Sequence, residues 1–162
     1  MEDLSGQVAV VTGAARGIGA AIGKRLAAMG ATVALAARDL ARLDEVAAAI
    51  AAAAGRAEVA VFDLMDEAAI AEFAASIKQR HGRCDILVNN AGTGKIGAPL
   101  HEMAPKDWDA LMGTNLRGPY LMIRAFAPMM IAARGGHIVN ISSLAGRNPL
   151  KNGAAYAASK WG

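Results

Sequence analysis

Short, continuous apolar runs alternate along the chain with longer segments of helical period. Residues 8–12, 32–37, 57–62, 85–89 and 137–141 read as strands, and the first is apolar at successive positions, the mark of a strand buried on both faces. Residues 18–29 read as a helix closed by Gly30. A second helix follows Asp39, with Leu43, Val46 and Ile50 on one face, and stops at Gly55. A third follows Asp66, with Ile70, Phe73 and Ile77 three or four apart, and ends at Gly82. Asp39 and Asp66 are of the residue type that accepts from first-turn N–H groups as an N-cap. After residue 89 comes a loop carrying Gly92, Gly94, Gly97 and Pro99. Pro105 suits a first helical turn. Helical pattern then runs to about Arg134, with Asn115, Gly118 and Pro128 expected to bend or interrupt it. A last helix begins at Ala154, and no fixed-period repeat appears.

Strand–helix alternation of this kind predicts an α/β fold, a doubly wound parallel sheet of Rossmann-like architecture. Such sheets bind ligands beyond the carboxyl ends of their strands. Polar groups stand at each predicted strand end: Thr12 onward, Arg38, Asp63, Asn89 with Asn90, and Ser142 with Ser143. They are expected to converge on one crevice. The first strand-to-helix turn, Thr12-Gly13-Ala14-Ala15-Arg16-Gly17-Ile18-Gly19, has the spacing G-x-x-x-G-x-G. Gly13 suits a tight turn, Gly17 lets backbone approach a phosphate, and Gly19 is expected to let the helix press on the sheet. Free N–H groups at the helix start would face the anion.

Composition narrows the field. With 54% hydrophobic residues in 162, the chain affords one well-buried domain or part of one. The net charge is +3, but the basic residues are scattered, without a Lys/Arg run or neighbouring aromatic stripe. A small phosphate-bearing ligand therefore accounts for the charge better than nucleic acid. The start, Met1-Glu2-Asp3-Leu4, lacks the basic and apolar regions of a signal peptide, so a cytoplasmic location is expected. Arg124 and Pro128 interrupt the apolar tract 118–133, which reads as a buried helix rather than a membrane span. The single cysteine, Cys84, opens an apolar run and is expected to be a buried, inert thiol. His81, His101 and His137 lack ligand spacing, so no metal is expected, and Met112, Met122, Met129 and Met130 read as core or interface filler.

Two further residue sets carry chemistry. Tyr156 and Lys160 lie four apart on the last predicted helix, where a cation beside a phenol favours the phenolate and readies it for proton transfer. Ser143, after the fifth strand, is placed to donate to a substrate oxygen, although a serine there also serves an ordinary turn.

T-G-x-x-x-G-I-G at 12–19, Asn89-Asn90-Ala91-Gly92, Asn115, Ser143 and Tyr156-x-x-x-Lys160 together resemble the short-chain dehydrogenase/reductase family, from about Gly6 onward. Thirteen residues separate Ser143 from Tyr156, as is usual there. The resemblance implies a nicotinamide-dependent oxidoreductase interconverting a small carbonyl compound and a secondary alcohol. Tyr156 would be the proton donor or acceptor, and Lys160 would tune Tyr156 and hold the nicotinamide ribose. Ser143 would position the substrate oxygen. Asn115 would sit at the helix kink, its main chain holding a water of a proton relay. Gly13, Arg16, Gly17, Ile18 and Gly19 would cradle the cofactor, Asp63 would bind its adenine edge, and Leu64 and Asn90 would also contact it, while Asn89 ties strands together.

An acidic residue usually ends the second strand of NAD readers. Ala37 stands there, followed by Arg38, and with Arg16 in the glycine turn this favours NADP(H) over NAD(H). The resemblance also implies a homo-oligomer, a dimer or tetramer, built on the helices of 105–134 and from Tyr156. Family members usually extend well beyond the position of Gly162. Residues 1–162 are therefore expected to be the N-terminal part of the dinucleotide-binding domain, without the C-terminal substrate-binding portion. The alternative is a truncated module that binds dinucleotide without turnover. A methyltransferase-like domain also places a glycine loop after its first strand, but needs no Ser143, Tyr156 and Lys160 together.

Overall fold

The computed structural model describes residues 3–94, 99–148 and 150–162. Met1, Glu2 and Gly97 lie outside the described residues. Five parallel strands form one sheet in the order β3-β2-β1-β4-β5: β1 (Val8–Thr12), β2 (Thr32–Ala37), β3 (Arg56–Val61), β4 (Ile86–Asn89) and β5 (His137–Asn140). The chain winds outward from β1 to β3, then crosses back to place β4 on the other side of β1. That reversal opens the sheet's ligand crevice between the ends of β1 and β4. The expected Rossmann-like fold is the observed one.

Strand β1 is buried at every residue. Its Ala9 and Val11 pack into the layer of α1 (Gly17–Ala28) and α2 (Leu40–Ala52), while Val8 and Val10 face α3 (Glu67–His81) and α5 (Gly118–Ala132). Asp39 and Asp66 cap α2 and α3, accepting from Arg42 N at 3.2 Å and Ala69 N at 3.0 Å. Each such cap is worth about 1 kcal/mol. Phe73 on α3 meets Phe126 on α5 edge-on at 5.6 Å and Phe62 at 5.2 Å, closing the second layer.

Three expectations shift. The helix read from Pro105 to about Arg134 is in pieces: α4 (Pro105–Met112), a π turn over Gly113–Arg117, and α5. Asn115 lies in the wider turn, as the expected interruption requires, whereas Pro128 stays within α5. Asp85 does not belong to β4. Its carboxylate accepts from Val8 N at 2.8 Å, its N–H donates to Val8 O at 2.8 Å, and its carbonyl accepts from His137 N at 2.7 Å. A side chain thus replaces one rung of the ladder, and Arg83 holds that carboxylate at 2.6 Å. Finally, the helix glycine that lets α1 lie close to the sheet is Gly23, where a Cβ would stand 2.7 Å from Leu35 Cδ2. Gly19 serves the turn instead, as described below. Elsewhere α1 and β3 begin one residue earlier than read from the sequence, and β3 and β5 end one residue earlier.

Cys84 is buried, and desolvation, reinforced by the Asp85 carboxylate, pushes its thiol up to about 12. The expected outcome is no reaction with a thiol-titrating disulfide in the native state at pH 8, and one equivalent on unfolding; rapid native labelling would contradict the burial. Phe126→Ala, removing a fully buried ring, is expected to cost about 3–5 kcal/mol in urea unfolding.

Candidate functional site

A groove of about 1070 Å³ runs beyond the carboxyl ends of β1 to β4. Gly13, Arg16, Gly17, Ile18, Arg38, Asp63, Leu64 and Asn90 all line it, as the sequence placed them. Among the expected cofactor residues, Gly19 lies beneath the turn, and Tyr156 and Lys160 lie outside the groove lining.

The glycine turn is held by the Thr12 side chain. Its hydroxyl accepts from Asn90 N and Ala91 N, each at 3.1 Å, and donates to Val88 O at 3.4 Å. The Asn90 carboxamide returns the connection, donating to Thr12 O at 2.9 Å and Gly13 O at 3.3 Å. Gly13 has φ +66°, and a Cβ there would come within 2.7 Å of Ala91 Cα. A Cβ on Gly19 would collide with Gly13 O and the Asn90 amide. Gly19 therefore lets α1 begin against the turn rather than against the sheet, which corrects the role read from sequence. Helix α1 starts without a side-chain cap, so its first N–H groups face the groove's end unclaimed by a protein side chain. Gly17, at φ +55°, has nothing within 4 Å of its Cβ position, leaving room for a close anion. This cradle fits a pyrophosphate.

Basic side chains, Arg16, Arg38 and Arg42, also line the groove. Arg38 Nη1 lies 3.3 Å from Asp63 Oδ2, and Arg42 Nε lies 3.4 Å from Asp39 Oδ2. The two residues assigned from sequence to phosphate and to adenine, Arg38 and Asp63, therefore bond to each other within the groove lining. Asp63 Oδ1 also accepts from Met65 N at 2.9 Å.

A second cluster surrounds Gly92–Gly94. A Cβ at Gly92 would stand 3.3 Å from both Asn115 Oδ1 and Lys160 Nζ, and one at Gly94 would stand 3.7 Å from the Tyr156 ring. The Asn115 side chain is engaged as well as its turn: it accepts from Thr93 N at 2.8 Å and donates to Thr93 O at 2.8 Å and to Ser159 Oγ at 3.0 Å. Ser159 in turn donates to Tyr156 O at 2.8 Å on α6 (Ala154–Trp161). Lys160 Nζ donates to Ile141 O at 2.9 Å. Ser143 Oγ accepts from Ala145 N at 3.2 Å, the contact of a turn serine. Gly92 and Thr93 line the groove too, so the two clusters adjoin. The strand ends therefore converge in two adjoining parts, because Ser142 and Ser143 lie beyond the groove lining. Asn89 Nδ2 donates to Asn140 Oδ1 at 2.8 Å, tying β4 to β5 as expected.

Sequence reading passed over the Thr12 hydroxyl and Ser159 as organising groups. The signal for Thr12 was a lone polar residue ending an apolar strand. For Ser159 it was a polar residue three positions after Tyr156, on the face that α6 buries. Among the described residues, no group of three or more His, Cys, Asp or Glu side chains is arranged to hold a metal, and no helix is long and apolar enough to cross a membrane.

Comparison with known proteins bears on this geometry. The sequence pattern of the family described as short chain dehydrogenase matches residues 7–162. The crystal structure of a metagenomic short-chain oxidoreductase in complex with NADP superposes with a TM-score of 0.96 at 62% identity, covering 98% of this chain and 72% of that one. D-threitol dehydrogenase of Mycolicibacterium smegmatis is 40% identical over 98% of this chain and 61% of its own length. Gluconate 5-dehydrogenase of Gluconobacter oxydans is 42% identical over 97% and 61%. The chain thus spans about 61% of the length of these two curated relatives. With that family pattern matched over residues 7–162 and carried on a five-stranded parallel sheet, the chain belongs to the short-chain dehydrogenase/reductase family.

Proposed function

We propose that the protein is an NADP(H)-dependent oxidoreductase that interconverts a carbonyl compound and a secondary alcohol. The observation that carries this reading is the groove itself: an uncapped helix start and open glycine turn at one end, and the Arg38 and Arg16 guanidiniums along its wall. The NADP bound in the 62%-identical relative supports the same choice of dinucleotide. NADP(H), when bound, supplies or accepts the hydride. The chain's own part is to hold it, orient the substrate and move the proton.

In that division, the α1 N–H groups and Gly17 take the pyrophosphate. Arg38 and Arg16 take the 2′-phosphate through charge-assisted hydrogen bonds. Lys160, next to the Gly92 backbone, holds the nicotinamide ribose. In reduction, the Tyr156 hydroxyl donates its proton to the carbonyl oxygen as the carbonyl carbon is reduced, and in oxidation the phenolate takes that proton back. Ser143 Oγ exchanges its contact with Ala145 N for one to the substrate oxygen. Asn115 holds the Thr93 loop and, through Ser159, the Tyr156 turn of α6. The apolar side chains Tyr120 and Ile131 on α5 and Trp161 on α6 are exposed, and they supply a face for a homo-oligomer.

Two outcomes test this. Tyr156→Phe is expected to lower kcat by about 10²–10⁴-fold in a ketone-dependent NADPH oxidation assay, while NADPH fluorescence titration stays within a few-fold. Full turnover in that variant would refute the proton donor, and NADPH binding without turnover by the unaltered protein would favour a binding module. Arg38→Asp is expected to shift the ratio of NADPH to NADH affinities about tenfold or more toward NADH; an unchanged ratio would contradict the phosphate role.

A further inference from the structure

The guanidiniums on the groove wall are not equally free. Arg16 makes no ion pair among the described residues. Arg42 is paired with Asp39, but both lie at the start of α2, and Asp39 is already committed to the helix cap. Arg38 is different. Its partner, Asp63, follows the neighbouring strand, 25 residues away, and both residues line the groove.

The two halves of that pair are also unequal. Asp63 is anchored, because Oδ1 accepts from Met65 N at 2.9 Å, and only Oδ2 is turned to Arg38. Arg38 is 79% exposed along its side chain and makes no other hydrogen bond or ion pair among the described residues. The carboxylate is therefore the fixed post and the guanidinium the arm that can swing. A phosphate monoester carries more charge and more acceptor oxygens than one carboxylate oxygen, so it can draw the arm away. A bare hydroxyl cannot.

We propose that Asp63 is a specificity-determining residue of this groove: it is the internal counter-ion that a 2′-phosphate must displace from Arg38, and it thereby limits how strongly the groove prefers a 2′-phosphorylated nucleotide. The inference rests on the NADP(H) reading above and deepens it. A ligand with a 2′-hydroxyl leaves the Arg38–Asp63 pair closed and meets no competition for the guanidinium. A ligand with a 2′-phosphate gains Arg38 only after breaking the pair. Neutralising Asp63 should therefore favour the second ligand alone, and only while Arg38 is present.

The test uses the chain as it stands, with 2′,5′-ADP and 5′-AMP as probes in isothermal titration calorimetry at low salt. Both probes carry the same adenine, so any contact of Asp63 with the base cancels in the ratio of their affinities. Asp63→Asn is expected to raise the preference for 2′,5′-ADP over 5′-AMP about two- to fivefold, the scale of an exposed ion pair. In an Arg38→Ala background the same substitution is expected to leave the ratio unchanged. Asparagine keeps an acceptor for Met65 N, and Asp63→Ser provides a second neutral variant that must move the ratio in the same direction. A flat ratio in the neutral variants overturns the counter-ion role while leaving the nucleotide site intact. An equal gain without Arg38 also overturns it, since the effect is then one of general charge. Failure of the unaltered chain to bind either probe overturns the NADP(H) reading, and the counter-ion role with it.

Discussion

The junction between Thr12 and the segment after β4 is the constraint on which the rest of the site depends. Thr12 ends the central strand, buried to 1% exposure, and its hydroxyl satisfies two successive amides from Asn90 and Ala91. Both amides are half-buried, and the shared hydroxyl supplies the partner each would otherwise lack. The Asn90 carboxamide closes the circuit on the Thr12 and Gly13 carbonyls. These bonds fix the glycine turn to the sheet at the switch point, and the groove floor, the start of α1 and the loop leading to Gly94 all take their positions from it.

From that junction the architecture divides its labour. One arm is rigid backbone, because Gly13 and Gly19 admit no side chain where turn, helix and Asn90 meet. The other arm is a network of side chains. The π turn in the middle of the α4–α5 tract widens the helix by one residue and leaves Asn115 bonded at once to the Thr93 loop and to Ser159 on α6. A buried amide with every polar atom engaged holds its neighbours in one geometry. Gly92, pressed between Asn115 and Lys160, is where the two arms meet.

The electrostatics of the groove are set by pairing as much as by the number of arginines. Arg38 and Arg42 each have a carboxylate beside them, while Arg16 at the turn has none among the described residues. Exposed pairs of this kind hold weakly and are screened by salt. The groove therefore presents guanidiniums that are located but available, which suits recognition of a phosphate that arrives and leaves.

The sequence by itself determined the order of strands and helices along the chain, the caps at Asp39 and Asp66, and eight of the residues that line the groove, from Gly13 to Asn90. These are encoded locally, in apolar periodicity, in capping residue types and in a glycine turn whose spacing is read from consecutive positions. Only the tertiary structure decided relations between segments distant in the chain. It turned Gly19 toward the Asn90 amide and gave Gly23 the contact with Leu35, two glycines that no local pattern distinguishes. It withdrew Asp85 from β4 to join three strands. It paired Arg38 with Asp63, residues that the sequence assigned to separate parts of a ligand, because neighbouring parallel strands bring their ends within reach of one ion pair whatever the distance along the chain.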